Sequence, residues 1–205
     1  MLTITRRVAG ARGLALILSG PPGFAQAPAP VRIRATIDAV DWPALTVTSR
    51  QGDKLSVKLT GAASVVALVK ASLADIKPGT FVGVTGLPQA DGTWKAHEVH
   101  IFPEAMRGTG EGDRPYDSFP QATMTNATVE ETVQQVDGHV LVLKFKGGEK
   151  KIVVVPETAI VRYVAGDKDD LKPGKKIYVP AATKQADGTY EATRLNVGRD
   201  VDPPM

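Results

Sequence analysis

The chain repeats itself, and that repeat constrains its fold more than any other feature. Asp75-Ile76-Lys77-Pro78-Gly79 returns as Asp170-Leu171-Lys172-Pro173-Gly174. Gln89-Ala90-Asp91-Gly92-Thr93-Trp94-Lys95-Ala96 returns as Gln185-Ala186-Asp187-Gly188-Thr189-Tyr190-Glu191-Ala192, and Val40-Asp41 as Val136-Asp137. Three anchors in one order, at a nearly constant spacing, mark two copies of one small domain near 31–102 and 127–198.

Each copy carries the pattern of short strands. Leu45 and Val47 alternate with Thr46 and Thr48, and Leu55, Val57 and Leu59 alternate with Ser56 and Lys58. Period-two alternation puts one face of a strand in a core and the other in water. Gln51-Gly52-Asp53 and Gly147-Gly148 interrupt such runs as hairpin turns. Val65–Val69 and Ile160–Val164 read as a fourth strand. The Ala-rich stretch 62–74 competes as a helix, but its counterpart holds Ile160, Val161, Tyr163 and Val164, which favour a strand. The Lys-Pro-Gly sequences read as type II turns, where proline sets φ near −65° and glycine accepts the positive φ that follows. Phe81–Thr85 and Ile177–Val179 continue as a fifth strand. The Asp-Gly-Thr turns lead into a sixth, Trp94–Phe102 and Tyr190–Val197. Six short strands per copy, with turns every 8–12 residues, predict an all-β chain of two tandem small barrels.

With both turns in place, the chain resembles an exported bacterial family of unknown function built from tandem small OB-like β-barrel domains. The resemblance spans both copies. The segment Phe102 to Gly112, with Arg114-Pro115-Tyr116-Asp117 and Met124-Thr125-Asn126, is similar to a signature of one proteobacterial subgroup. The family implies a fold; it lends no activity and no catalytic residue.

Residues Met1 to Ala27 read as a secretory leader. Arg6, Arg7 and Arg12 precede the apolar run Leu14-Ala15-Leu16-Ile17-Leu18, and small residues follow at Gly23, Ala25 and Ala27. The run is far shorter than the roughly 20 residues that cross a bilayer. Cleavage fits after Ala25 or after Ala27, and Arg6-Arg7 leaves a twin-arginine route open beside the general one. Such a leader implies a periplasmic or secreted protein. The expected layout is leader 1–27, first barrel 28–102, connector 103–126 and second barrel 127–200.

Charge and composition then exclude several function classes. The three leader arginines account for the whole formal excess of +3, and without them 22 cationic residues stand against 22 anionic ones. A nucleic-acid binder needs a lasting basic footprint and stacking rings. Aromatic residues make up only 5% of this chain. The absence of cysteine removes disulfides, thiolate metal sites and thiol nucleophiles.

Candidate chemistry concentrates in the connector. It holds Arg107, Glu111, Asp113, Arg114 and Asp117 among Gly108, Gly110 and Gly112, and a segment this long is often functional. These five are the candidate ligand- or partner-binding residues, for an unknown envelope partner or small ligand. The competing reading is a linker packed across the barrels through Met106, Tyr116 and Phe119. A metal site is the first alternative: Glu98 and His100 share a strand face, and Glu104 or Asp113 could add a carboxylate, although His97 points the other way. His97, His100 and His139 otherwise read as solvated or capping histidines. An undetected hydrolase is the second alternative, though no Gly-x-Ser-x-Gly turn occurs and Asp169-Asp170 reads as a turn cap. The sequence therefore predicts a non-catalytic envelope module without cofactor or metal.

Overall fold

The computed structural model describes residues 29–136 and 138–203, so the leader expected at 1–27 lies outside the described residues. The chain is all-β. Twelve strands run in order as β1 (Val31–Asp41), β2 (Ala44–Ser49), β3 (Lys54–Lys70), β4 (Phe81–Pro88), β5 (Trp94–Ile101), β6 (Gly112–Pro115), β7 (Thr123–Gln135), β8 (Gly138–Phe145), β9 (Gly148–Val154), β10 (Ala159–Ala165), β11 (Lys176–Lys184) and β12 (Tyr190–Gly198). Short 3-10 turns cover Leu73–Asp75, Glu104–Met106 and Lys168–Asp170. No helix among the described residues is long and apolar enough to cross a membrane.

Alternation does what it foretells. In β2, Leu45 and Val47 are buried and Thr46 is exposed. The stretch 62–74 forms no α-helix, and Val65–Val69 is not a separate fourth strand: β3 runs unbroken from Lys54 to Lys70, and a 3-10 turn follows at Leu73–Asp75. In the second copy Pro156 ends the equivalent run, splitting it into β9 and β10, because proline cannot donate to a ladder.

The pairing departs from one barrel per copy. All strands join one hydrogen-bonded sheet that closes on itself twice. One ring is β1-β2-β3-β12-β11, with β11 returning to β1 and β3 lying parallel to β12. The other is β7-β8-β9-β5-β4, with β4 returning to β7 and β9 parallel to β5. Each ring thus takes three strands from one copy and two from the other. The boundaries 28–102 and 127–200 divide the repeat in sequence, whereas the rings exchange their last two strands.

Two cores follow. Ile33, Ile37, Leu45, Val47, Val57 and Leu59 pack with Ile177, Val179, Leu195 and Val197 from the distant copy. Val129, Leu141, Leu143, Ile152 and Val154 pack with Val82, Val84, Val99 and Ile101. A third cluster at the junction joins Val66 and Leu68 to Val161 and Tyr163, with Phe102, Met106 and Val201 against it.

The repeated turns fasten the exchange. Gly79 has φ +89 and Gly174 φ +84, and i→i+3 bonds close both turns, from Thr80 N to Lys77 O (2.9 Å) and from Lys175 N to Lys172 O (3.0 Å). Gly79 N then donates to Val129 O, and Gly174 N to Ile37 O, each at 2.8 Å and each into the other copy. These bonds make Ile37 and Val129 structural equivalents. Ile37 pairs with Val47 and Val129 with Leu143, so the second hairpin is longer and Val136 sits fully exposed in its turn. Hence Val40 and Val136 match in sequence but differ in place: Val40 pairs with Leu45 within the ladder.

Candidate functional site

The connector crosses both rings and is tied to each. β6 pairs with β7, and beyond it Tyr116 is buried while Phe119 meets the ring of exposed His97 edge-on at 4.4 Å. Asp113 receives Lys150 Nζ on both oxygens (3.0 and 3.1 Å) and Thr125 Oγ1 at 2.6 Å, fastening the connector to the second ring. Lys150 also lies 3.4 Å from the centre of the Trp94 ring. Burial pulls the Lys150 ammonium below its usual pKa, and Asp113 offsets part of that pull. Asp117 receives Arg34 at 2.8 and 3.3 Å, fastening the connector to the first ring, and Arg32 stands 3.6 Å away. Arg34 is flanked by Tyr116 and Tyr178, at 5.4 and 5.0 Å from their ring centres.

The structure therefore disperses the five connector residues. Arg107 pairs with Glu104 (Nη2–Oε2, 2.7 Å) and donates to Gly79 O (2.9 Å). Glu111 accepts from Lys146 N, and Asp113 and Asp117 serve opposite rings. Four of the five are spent on internal bonds that hold the fold. Arg114 differs: it donates to Gly110 O at 2.6 Å and makes no ion pair within 4 Å among the described residues.

Arg114 belongs instead to a cavity of about 230 Å³ at the junction of the rings, lined also by Arg32, Arg194, His100, Asn126 and Tyr163. Its floor is buried, with His100 and Asn196 each 2% exposed and Asn126 4%. The Arg32 side chain at its edge is 39% exposed, which marks the mouth. Asn126 Nδ2 donates to Thr109 O at 2.8 Å, while its Oδ1 has no partner. Glu98 Oε1 stands 2.9 Å from His100 Nε2, an ion-pair distance outside hydrogen-bond geometry. The other ring nitrogen of His100 lies 3.4 Å from the Tyr163 hydroxyl, with the two rings stacked. Burial first, then the Glu98 charge, pushes the Tyr163 hydroxyl far above its usual pKa, so it stays a neutral phenol.

His100 is thus a buried histidine, in contrast to the solvated one the strand pattern suggests. The reason is topological: β5 is paired on one side by β4 and on the other by β9 and β10, at the point where the rings meet. Alternation fails there, and Glu98, Val99, His100 and Ile101 are all buried. The ligand set of the metal alternative is not assembled. Glu104 is held by Arg107 and Asp113 by Lys150, and no group of three or more His, Cys, Asp or Glu side chains converges among the described residues.

Three larger grooves, about 700, 730 and 330 Å³, lie beside the β7–β8 hairpin tip, beside the Lys172–Lys176 turn and between Trp42 and Leu171. None is lined by a residue with a buried polar atom that lacks a partner, whereas the junction cavity is. Arg32, Asn126, Tyr163, Arg194 and Asn196 escape a reading of the sequence, being scattered over both copies and the connector's end. One signal was available: His100 and Asn196 hold the same repeat position, each a polar residue between two apolar ones. No protein-family model, no curated protein and no solved structure matches the chain.

Proposed function

We propose that the protein is a non-catalytic binding module of the cell envelope, exported by its leader, that holds a small ligand between two OB-like barrels. The leader sequence supports the location. The ring order, five strands with one parallel closure, supports the OB-like reading, since that fold is a small five-stranded barrel. The observation that carries the binding role is the junction cavity, which gathers the buried polar residues His100, Asn126 and Asn196 with Arg32, Arg114 and Arg194.

A catalytic role draws less support. Glu98, His100 and Tyr163 follow one another in space like an acid, a base and a hydroxyl. A nucleophile, however, needs a lowered pKa or an abstracted proton, and burial drives the Tyr163 hydroxyl the opposite way. Nucleic acid is not the partner proposed, because beyond the leader 22 cationic residues stand against 22 anionic ones, without the basic excess that neutralises phosphates.

Thermal denaturation of the mature chain against a small-molecule library tests the binding role. Thr109→Trp is the control, placing an indole at an exposed lining position. At least one compound should raise Tm by about 3 °C or more and lose that effect in Thr109→Trp. If every stabilising compound acted equally on both proteins, the cavity would hold no ligand.

A further inference from the structure

We infer that the ligand of the junction cavity is a small organic oxyanion, a carboxylate or phosphate. This deepens the binding role proposed above and rests on it. Four arginines among the described residues are half-buried: Arg34, Arg114, Arg162 and Arg194. Arg34 is bound by Asp117 and Arg162 by Asp75. Arg114 and Arg194 have no carboxylate within 4 Å among the described residues, and both line this one cavity.

What they do touch is weak. Arg194 reaches Asn196 Oδ1 at 3.4 Å and Met106 Sδ at 3.9 Å, and sits 5.8 Å from the centre of the Tyr163 ring. A guanidinium keeps its charge at any ordinary pH and presents donors in a fork that suits carboxylate and phosphate. Two such forks lining one partly buried cavity favour an anion there. The carboxylates nearby do not cancel them: Glu98 stands beside His100, and Asp117 is engaged by Arg34 and Arg32 at the mouth.

The remaining walls restrict the anion further. Tyr116, Tyr163, Tyr178 and Phe102 supply ring surface, so a ligand with an apolar or aromatic body fits better than a bare ion. Asn126 gives the ligand little: its Nδ2 is committed to Thr109 O, and its unpartnered Oδ1 is fully buried, 2.8 Å from where a Cβ on Gly83 would stand. A volume of about 230 Å³ limits the body to about the size of a single substituted ring.

Calorimetric titration of the mature chain at fixed ionic strength tests the assignment. The probes are 4-hydroxybenzoate, lactate and phosphate, with neutral 4-hydroxybenzyl alcohol and cationic choline as counterparts. At least one of the anions should bind, and at least tenfold more tightly than either counterpart. Arg194→Gln and Arg114→Gln should each weaken it at least tenfold, and Arg194→Lys should restore part of the loss. Lys172→Gln, on a surface turn, should change nothing. The pattern among 4-hydroxybenzoate, lactate and phosphate separates carboxylate from phosphate recognition. Equal binding of the neutral alcohol, lost in Thr109→Trp, would overturn the anion assignment and leave the binding role standing. Retained affinity in both Gln variants would do the same. If no probe bound and the library screen found nothing, both would fall.

Discussion

Leu68 and Tyr163 are register partners in the antiparallel pairing of β3 with β10, and they are also the same position of the repeat. The two rings meet at this pair. Around it lie the third apolar cluster, the crossing points of the exchanged strands and, a few residues away, the His100 and Asn196 floor of the cavity. The same junction therefore organises both the fold and the site.

The exchange predicts how the chain behaves when it is divided. A fragment covering 29–102 holds β1–β5 but lacks β11 and β12, which close its first ring. It should not form an ordered monomer. Fragments 29–109 and 110–203 should each be poorly ordered alone and should combine one to one. Light scattering and circular dichroism on separate and mixed fragments would show this. A monomeric 29–102 fragment with a cooperative melt would refute the exchange.

The two connector straps should respond asymmetrically to mutation. Asp113→Ala strands the Lys150 ammonium, whose side chain is only 8% exposed, and should cost about 2–3 kcal/mol. Lys150→Met removes the buried charge and leaves Asp113 partly in water, and should cost less than about 1 kcal/mol. Because burial lowers the Lys150 pKa, the folded state of the Asp113→Ala protein binds fewer protons than the unfolded one at alkaline pH. Its deficit should therefore shrink as pH rises toward the ordinary lysine range. Urea denaturation at several pH values gives both numbers; a larger loss for Lys150→Met would contradict this account.

Two glycine substitutions separate backbone strain from crowding. Around Gly79 a Cβ would meet nothing within 4 Å, so Gly79→Ala is penalised only by its φ of +89, by roughly 1–2 kcal/mol. At Gly166 a Cβ would stand 2.9 Å from Ala67 N and from Val65 Cγ1, where the second copy's crossing segment meets β3. Gly166→Ala must displace backbone and should cost at least as much, about 1–3 kcal/mol. Substitution by D-alanine through chemical ligation should relieve the penalty at residue 79, where φ alone opposes the L side chain. An undiminished penalty there would show the strain account to be mistaken.

Acid stability should depend on Asp170. Arg199 binds it with two hydrogen bonds (2.9 and 2.7 Å), and Asp167 N adds a third, lowering its pKa from 3.8 to about 2. A carboxyl whose folded pKa is depressed contributes its stability fully above the unfolded value and loses it as pH falls toward the folded one. The contribution should be present above about pH 4 and vanish between there and pH 2. Asp170→Asn should remove roughly 1 kcal/mol at neutral pH and flatten that segment of the acid-unfolding curve. An unchanged curve would place the acid sensitivity elsewhere.

Local sequence determined most of the strands, their buried faces away from the ring junction, and the repeated turns. Alternation at Leu45 and Val47 needs only a neighbouring sheet to bury one face, and Gly79 and Gly174 are required by φ alone. Which copy supplies that sheet was not legible. The two copies present nearly the same apolar pattern, so β12 can cover β3 as well as β5 could, and no single strand encodes the difference. Only the assembled structure decides it, because ring closure depends on where the 71–80 and 166–175 connections carry the chain. The site follows the same rule. Arg32, Arg114, His100, Asn126 and Arg194 are far apart along the chain, and they meet because strands from both halves pair at one junction.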